Sequence, residues 1–263
     1  VRSSAASDVY KRQGEMNQSF FIGAVGAHQQ QKRLNVQGNN IANVNTYGFK
    51  AEKGRFAALM YEDIKAVDDA QLPAGAGACL WTTDTDFSSG AGVDTGRAQD
   101  YMISGDGFFA LVDLATNEVS LTRNGAFSIA ELQRATGETD EQGQPVIERV
   151  MYLSDGDGRF VLSDTGSMIE VTDGDADQPV GIFDYINYNG MEHLDGTRFL
   201  AVEKNGGLRV GDGTLVRGML ESSNVDLAEE MTKVIESQRA YSMALKMVQT
   251  SDEIETVINN LRG

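Results

Sequence analysis

The two ends of the chain carry apolar and small residues at a spacing of three and four, which is typical of a helix with one packing face. The first such stretch lies between Met16 and Asn45 and would form a helix about 43 Å long. Its packing stripe consists of Phe21, Ala24, His28, Gln31, Leu34, Gly38, Ile41 and Asn45. Because this stripe is partly polar and partly small, it predicts a helix that needs close partners. His28 is predicted to pack within the stripe and not to act as a ligand.

The last segment is the most regular and predicts a second helix from about residue 227 to 261, roughly 52 Å long. Its seam positions are Leu227, Met231, Val234, Gln238, Tyr241, Leu245 and Val248. Asp226, followed three residues later by Glu229, resembles a capping box at the start of the helix. The heptad spacing of the seam favours coiled-coil partners, and on spacing alone it indicates a structural helix.

Between the helices the pattern changes to short strands separated by turns rich in Gly, Asp and Asn. Residues 97–217 are predicted to form an all-β domain, with Asn124-Gly125 as a hairpin signal between two strands. The fold class is therefore mixed α and β, with long terminal helices that pair as a coiled coil and a central β domain of many short strands. The other predicted segments are a disordered or non-native leader at 1–15, a helix and connector at 16–72, a Gly-rich linker at 73–96 and a C-terminal helical segment at 218–263.

Composition limits the classes of function. The 263 residues are 41% hydrophobic and 23% charged, as in globular proteins. The net charge of −17 disfavours binding to nucleic acids or anionic membranes, and no apolar run approaches a membrane span. One cysteine and two histidines leave little material for metal sites or His-based catalysis. The first fifteen residues lack the apolar core of a signal peptide, which predicts a cytosolic chain or one exported by a signal-independent route.

Two short motifs have the residue spacing of known binding sites but lack the other residues or the secondary structure that those sites require. The run from Gly105 to Ala110 has the spacing of a dinucleotide fingerprint, but a β-type run follows where a helix is required. Asp173, Asp175 and Asp177 have the opening spacing of an EF-hand loop. Gln178 stands where that loop needs glycine, so an acidic surface loop is favoured over a weak cation site. We therefore predict no catalytic residues, no cofactor and no metal site.

The stretch from Asn39 to Lys50 has four asparagines in seven positions at the end of the first predicted helix. Asparagine competes for nearby backbone groups, so it suits a helix end followed by a turn, and Gly48 can supply a positive φ angle there. The stretch resembles the N-terminal signature of the bacterial flagellar rod and hook proteins, a run of Asn-Asn-x-Ala-Asn-x-x-Thr-x-Gly-Phe.

Three further stretches resemble that family in the right order and separation. Residues 103–113 are similar to its Gly-x-Gly-Phe-Phe entry to the middle domain. Residues 121–127 are similar to its Tyr-Thr-Arg-Asp/Asn-Gly-x-Phe hairpin, with Leu121 in place of tyrosine. Residues 218–226, followed by Glu230-Met231 and the run from Gln238 to Tyr241, resemble its C-terminal signature. Residues from about 130 to 215 match only as a type.

The resemblance implies a structural subunit, because in this family the terminal helices pair as a coiled coil at the inner core of a helical tube. It implies polymerisation with itself and with adjacent rod or hook subunits, export through the flagellar apparatus, and a location in the flagellar basal body. Length excludes the larger hook subunit. A distal-rod subunit is the first expectation, and a proximal-rod subunit, favoured by Leu208-Arg209-Val210, is the second.

We predict an assembly interface made of the asparagines at the helix exit, the turn that follows them and the C-terminal seam. Its residues are Asn39, Asn40, Asn43, Asn45, Gly48, Phe49, Leu227, Met231, Val234, Gln238, Tyr241, Leu245 and Val248. The asparagines can hydrogen-bond to a neighbour's backbone without adding charge. The competing interpretation is a secreted or cytosolic β-domain binding or adhesin module with helical oligomerisation ends, which explains the β region but not the Asn-rich signature.

Overall fold

The computed structural model describes residues 2–59, 61–65, 71–75, 77–139 and 145–261. These residues form two compact units. The helical unit contains the residues up to Ala42, Glu52–Asp84 and the residues from Asp226 onward, and the β unit contains Asn43–Ala51 and Thr85–Val225. The mixed fold class, with a helix at each end and a strand-rich middle, is confirmed.

The helical unit combines two long helices with paired strands. Its elements are α1 (Arg2–Ala42), β1 (Glu52–Ala58), β2 (Tyr61–Lys65), β3 (Gln71–Gly75), β4 (Ala78–Thr85) and α2 (Leu227–Asn260). Strand β1 pairs with β4, and β2 pairs with β3 in the antiparallel sense. The predicted connector and the first part of the Gly-rich linker therefore contain strands.

Helix α1 begins at Arg2, whereas the sequence predicts a disordered leader as far as Glu15. Residues 2–15 contain no proline and include Ala, Arg, Lys and Gln, which favour a helix, so they extend it. At its other end α1 stops at Ala42, three residues before the predicted end at Asn45. The Asn-rich run closes the helix early because its amide groups stabilise a turn.

Both helices pack against each other in the antiparallel sense within the helical unit. The hydroxyl groups of Ser19 and Ser251 lie 3.2 Å apart. A Cβ atom at Gly23 would lie 3.0 Å from Cγ2 of Val248, so the two backbones approach closely there. Small residues on both helices therefore set the distance between them.

The β unit is built on one antiparallel sheet of seven strands in the order β13-β14-β8-β7-β11-β10-β9. Its strands are β7 (Phe109–Val112), β8 (Val119–Thr122), β9 (Ser128–Thr139), β10 (Pro145–Ser154), β11 (Phe160–Val161), β13 (Glu192–Asp195) and β14 (Arg198–Leu200). Three two-stranded pairs accompany it, β17 with β5, β16 with β6, and β12 with β15. Their bounds are β5 (Gly92–Asp94), β6 (Tyr101–Ser104), β12 (Phe183–Asp184), β15 (Arg209–Val210), β16 (Thr214–Arg217) and β17 (Met219–Glu221).

The hairpin predicted at Asn124-Gly125 is wrong. Strand β8 pairs with β7 and β14, whereas β9 pairs with β10, so the strands on either side of the dipeptide are not neighbours. Gly125 serves another purpose, because a Cβ atom there would overlap the carbonyl oxygen of Tyr101. The N–H of Tyr101 donates to the carbonyl of Gly125 at 3.0 Å. The glycine therefore allows a close backbone approach instead of a type I′ turn.

Aromatic and aliphatic side chains fill the two faces of the sheet. One buried cluster includes Tyr101, Phe109, Phe127 and Leu153. The other is centred on Phe108, whose ring makes edge contacts with Phe87, Tyr188 and Phe199 at centroid distances of 5.4 to 6.0 Å. The predicted short strands thus form a sheet with a hydrophobic core on both sides. The loops of the candidate functional site are anchored to this core.

The carboxylate of Asp184 in β12 accepts a hydrogen bond from Arg209 in β15, and we expect it to make the stability of the β unit depend on pH. Burial alone raises its pKa, but hydrogen bonds from Tyr188 and Arg209 outweigh this and hold the pKa below the ordinary value of 3.8. A carboxylate with a depressed folded-state pKa stabilises the fold above its unfolded pKa and loses that contribution as the pH falls. We expect Asp184→Asn to lose about 2 kcal/mol at neutral pH and to decline less steeply below about pH 4.

Acid titration of the amide exchange of β12 and β15 measures this effect. Asp164→Asn is the matched control, because Asp164 is exposed and should leave the profile unchanged. An Asp184→Asn profile parallel to that of the wild type would contradict the assignment.

Candidate functional site

A tight turn follows α1 and belongs to the β unit. The N–H of Thr46 donates to the carbonyl of Asn43 at 3.0 Å, and the Thr46 hydroxyl donates to the Asn43 side-chain oxygen at 3.2 Å. Asparagine is suited to this position because its side chain completes turns of this kind. Gly48 then adopts a φ of 71°, which confirms the predicted positive angle.

Gly48 sits where the backbone of another loop leaves no room for a side chain. A Cβ atom at Gly48 would overlap the backbone nitrogen of Asn124 and lie 2.5 Å from the carbonyl carbon of Arg123. Its N–H donates to the carbonyl of Glu221 at 2.8 Å. The turn after α1 is thereby fixed to the loop after β8 and to the end of β17, two segments that also carry family-like sequence patterns. The neighbouring Phe49 is 1% exposed and anchors the same turn.

A buried charged cluster of Lys50, Arg123 and Glu221, here called the charge cluster, joins these three segments. The Lys50 ammonium lies 2.6 Å from one carboxylate oxygen of Glu221, and the Arg123 guanidinium lies 3.1 Å from the other. All three side chains are at most 2% exposed. Two cations share one anion, so the buried site holds one positive charge without a partner anion. Additional hydrogen bonds are therefore needed to keep all three side chains ionised.

Backbone carbonyls supply those additional hydrogen bonds. Lys50 donates to the carbonyl of Ser88 at 2.7 Å, and Arg123 donates to the carbonyl of Gly105 at 2.8 Å. Burial lowers the pKa of Lys50 below its ordinary value of 10.5, while the nearby carboxylate of Glu221 opposes that shift. The cluster therefore has a structural role and is stable only when all three charged side chains are present. It contains no nucleophile positioned for catalysis.

Asn224 ties the chain entering α2 to the same region. Its side-chain oxygen accepts from the N–H of Ala51 at 2.8 Å. Its amide group donates to the carbonyls of Asp86 and Ser88, at 2.8 and 3.1 Å. The segment that leaves α1 and the segment that leads to α2 are thus joined by side-chain bonds to a single place in the β unit. Two residues later Asp226 caps α2 by accepting from the N–H groups of Ala228 and Glu229.

The four asparagines of the predicted interface have different environments. Asn40 is 1% exposed, and its amide exchanges two hydrogen bonds of 2.9 Å with the backbone of Glu52. The amide of Asn40 is therefore hydrogen-bonded within the chain, and its predicted bond to a neighbouring subunit stays a prediction. Asn43 forms the turn described above, whereas Asn39 and Asn45 are exposed.

The seam of α2 differs from the predicted one at every second position. The buried and half-buried residues that step by three and four are Glu230, Val234, Ser237, Tyr241, Ala244, Val248 and Ser251. Val234, Tyr241 and Val248 were predicted. The others in the predicted seam remain exposed, namely Leu227, Met231, Gln238 and Leu245. The seam follows the small and polar residues because they permit the close approach seen between Gly23 and Val248.

Helix α1 shows the same displacement by one residue. Gly23, Ala27, Gln37 and Asn40 are buried, whereas the predicted stripe positions one residue later, including Ala24, His28 and Gly38, are exposed. His28 is therefore not a packing histidine. On both helices some of the predicted apolar positions are exposed, namely Phe21 on α1 and Leu227, Met231 and Leu245 on α2.

The seam between α1 and α2 contains buried polar atoms without hydrogen-bond partners among the described residues. They are Oε1 of Gln30, Oε1 of Gln37, Oε2 of Glu230 and Oγ of Ser237. A buried polar atom left unsatisfied costs about 1–3 kcal/mol. Sequence reasoning overlooked these residues, as well as the charge cluster and Asn224, because polar residues do not register in a search for apolar periodicity. The pair of helices is consequently weak by itself.

Removing one of these atoms should strengthen the pair. Ser237 is 0% exposed, so Ser237→Ala removes a buried unsatisfied hydroxyl and improves helix propensity. We expect a gain of about 1 kcal/mol in the opening free energy of α2, measured by amide hydrogen exchange. The control is Ser242→Ala, at an exposed position whose hydroxyl bonds to Gln238, and it should change this free energy by less than about 0.5 kcal/mol. Loss of α2 protection in Ser237→Ala would contradict the assignment.

Within the described residues no group of three or more His, Cys, Asp or Glu side chains is arranged to hold a metal ion. In the same part of the chain, no helix is both long and apolar enough to cross a membrane. A buried charge cluster, a weak helix pair and exposed apolar helix positions are features of a structural protein.

Comparison with known proteins shows to which family this structural protein is similar. Residues 22–50 match the family described as Flagella basal body rod protein, and residues 216–261 match Flagellar basal body rod FlgEFG protein C-terminal. The chain is 31% identical over 286 residues to the flagellar basal-body rod protein FlgG of Bacillus subtilis, covering 94% of this chain and all of that protein. It is 30% identical to FlgG of Buchnera aphidicola subsp. Schizaphis graminum, covering 92% and 99%. Caulobacter vibrioides FlgF is 28% identical, covering 91% and 95%.

The chain belongs to the flagellar basal-body rod protein family. Members of this family are structural proteins of the flagellar basal body. The two matched regions coincide with the ends of the chain, where α1, the turn after it, the entry to α2 and α2 itself are found.

Proposed function

We propose that the chain is a structural subunit of the flagellar rod and that it polymerises through its terminal helices into a helical tube. In that tube α1 and α2 pair as a coiled coil, and the tube transmits torque and forms the channel for export. Exposed apolar residues on a weakly held helix pair carry this proposal. Leu227, Met231 and Ile235 are 41% to 54% exposed, and neighbouring subunits would cover them.

A filament requires contacts between subunits that do not close into a ring. An interface between two different surface patches, repeated with constant rotation, builds an open helical assembly. The weak seam fits this scheme, because the helices gain much of their order from neighbours and less from each other. The partners are further copies and adjacent rod or hook subunits, and the flagellar export apparatus delivers the chain to its site. The FlgG proteins of Buchnera aphidicola and Bacillus subtilis are 30% and 31% identical to the chain and the FlgF protein of Caulobacter vibrioides is 28% identical, which supports a distal-rod subunit over a proximal-rod one.

The binding-module alternative is less well supported. It accounts for the β unit, but it explains neither the family matches at both ends of the chain nor the exposed apolar positions on α2.

Deletion of residues 227–263 tests the proposal. We expect the full chain at high concentration to sediment as tubes or rods visible by electron microscopy, and the truncated chain to stay soluble while the strands of its β unit keep their amide protection. A second test exploits order on assembly, since the amides of α1 and α2 should exchange faster in the dilute chain than in the polymer. Discrete closed oligomers of the full chain, or equal protection in both states, would refute the proposal.

Asn43→Ala combined with Asn45→Ala probes the predicted role of the turn after α1. This variant should impair polymerisation more than solubility, and filaments of normal length and yield would exclude these two asparagines from the interface.

A further inference from the structure

One stretch near the end of the β unit, here called the strap, consists of residues 214–224. It contains β16 and β17 and ends two residues before Asp226, the cap of α2. Strand β16 pairs with β6 and β17 pairs with β5, and neither β5 nor β6 has another strand partner among the described residues. The seven-stranded sheet, by contrast, takes all its strands from residues 109–200. Without the strap the sheet would keep its strands, whereas β5 and β6 would be unpaired.

The strap also supplies the acceptors for three backbone amides that lie far from it in the sequence. The N–H of Gly48 donates to the carbonyl of Glu221 at 2.8 Å, and the N–H of Gly90 donates to the Glu221 carboxylate at 2.8 Å. The N–H of Ala51 donates to the side chain of Asn224 at 2.8 Å. The bonds from Gly90 and Ala51 span 131 and 173 residues, so each closes a long loop at a cost in chain entropy. These bonds of the turn after α1 therefore form only when the strap is in place.

The charge cluster makes the contacts of the strap depend on one another. Without Glu221, the side chains of Lys50 and Arg123 would lie buried side by side with no anion between them. Buried cations that lack a counterion are strongly unfavourable, so these two side chains would leave their buried positions together with the strap. Loss of one contact thus entails loss of the others, which is the property of a segment that opens cooperatively.

Little apolar surface holds the strap in place. Within residues 214–224 only Leu220 and Glu221 are buried, and the other residues are half-buried or exposed. The sheet, in contrast, contains fully buried side chains such as Phe109 and Leu153. Segments with few buried apolar contacts open at a lower free energy than the core of the same domain. The strap is such a segment, and the seven-stranded sheet beside it is such a core.

We infer that residues 214–224 leave and rejoin the β unit as one cooperative segment while the seven-stranded sheet stays folded. In the closed state, the turn after α1 and the segment that leads to α2 are both bonded within the β unit. In the open state both are released at once, together with β5 and β6. The strap thereby controls whether the attachments of the two terminal helices are fixed. This inference goes beyond the proposed function, because it concerns the single chain and involves no polymer.

Amide hydrogen exchange of the dilute full-length chain at increasing urea concentration tests the cooperative opening. The amides of Gly48, Ala51 and Gly90 should share one opening free energy and one urea dependence, because they lose their acceptors in the same event. Their protection should be at least about tenfold lower than that of the Leu162 amide, which donates to the carbonyl of Ala110 in β7. Different urea dependences for the three amides, or protection equal to that of Leu162, would overturn the inference.

A reversible crosslink supplies a second test in which one protein is its own control. Met102 in β6 and Val216 in β16 are directly opposite each other, at a separation that suits a disulfide. In a Cys79→Ser background, Met102→Cys combined with Val216→Cys is compared in its oxidised and reduced forms. Oxidation should bring the protection of Gly48 to within about twofold of that of Leu162, because the strap then opens only when the sheet unfolds. A ratio of the two protections that does not change on oxidation would overturn the inference, and it would leave the proposed function standing.

Discussion

Replacing Gly48 by alanine should unfold much of the turn after α1 and destabilise the β unit by more than about 3 kcal/mol. The φ of 71° is unfavourable for any residue with a Cβ atom. The larger contribution is steric, because the added carbon would lie 2.5 Å from the carbonyl carbon of Arg123, in a backbone that is itself held in the core. Amide exchange of β7 and β8 in the full-length chain measures the loss.

Gly156→Ala is the matched control in the same unit. No atom lies within 4 Å of a Cβ atom at Gly156, and its φ is not in the left-handed region. This variant should be neutral or slightly stabilising, because alanine restricts the unfolded chain more than glycine does. Equal effects of the two substitutions would show that the close approach at Gly48 does not constrain the fold.

Replacing Glu221 by glutamine should cost about 3–5 kcal/mol, because it leaves two buried cations without their shared anion. The same substitution at the exposed Glu118 should change the stability of the β unit by less than about 0.5 kcal/mol. Adding Lys50→Met to Glu221→Gln should recover part of the loss, since one of the two uncompensated charges is then removed. Urea unfolding followed by amide exchange in β17 and β8 gives these values.

The pH dependence of Glu221→Gln provides a second measurement. Burial already lowers the Lys50 pKa below 10.5, and loss of the opposing carboxylate should lower it further. The folded variant then binds the Lys50 proton less tightly than the unfolded chain does, so its stability rises with pH through the window below 10.5. We expect the gap between the variant and the wild type to narrow from about pH 7 to about pH 10. A gap that is constant with pH would mean that Lys50 is not the source of the penalty.

Local patterns predicted the elements of this fold better than their contacts. The strands at Tyr101–Ser104, Val119–Thr122 and Thr214–Arg217 lie where β-type runs end at turn residues. The predicted N-cap at Asp226 is confirmed, but Glu229 binds Lys233 at 2.8 Å instead of completing a capping box. The hairpin predicted at Asn124-Gly125 is wrong because a tight turn and a close backbone approach select the same residues, and the sequence alone does not distinguish the two.

The seam of the helices was mispredicted for a related reason. A search for apolar periodicity finds the residues with the greatest hydrophobic surface, and on α2 these include Met231 and Leu245. Packing between two antiparallel helices selects small side chains when the backbones come close, so Ser237 and Ala244 occupy the seam. The structure leaves Met231 and Leu245 exposed, and their role in an assembly interface stays a prediction.

The sequence by itself determined the class of this protein, because two terminal helices, a strand-rich middle and four ordered signature stretches are local features that can be read along the chain. Only the tertiary structure decided which side chains those signatures bring together. Lys50, Arg123 and Glu221 are separated by as many as 171 residues, and their burial as one cluster depends on how the sheet orders its strands. The tertiary structure also decided which face of each helix packs against the other helix. The closest possible approach of the two backbones, and not hydrophobicity alone, determined which residues occupy the seam.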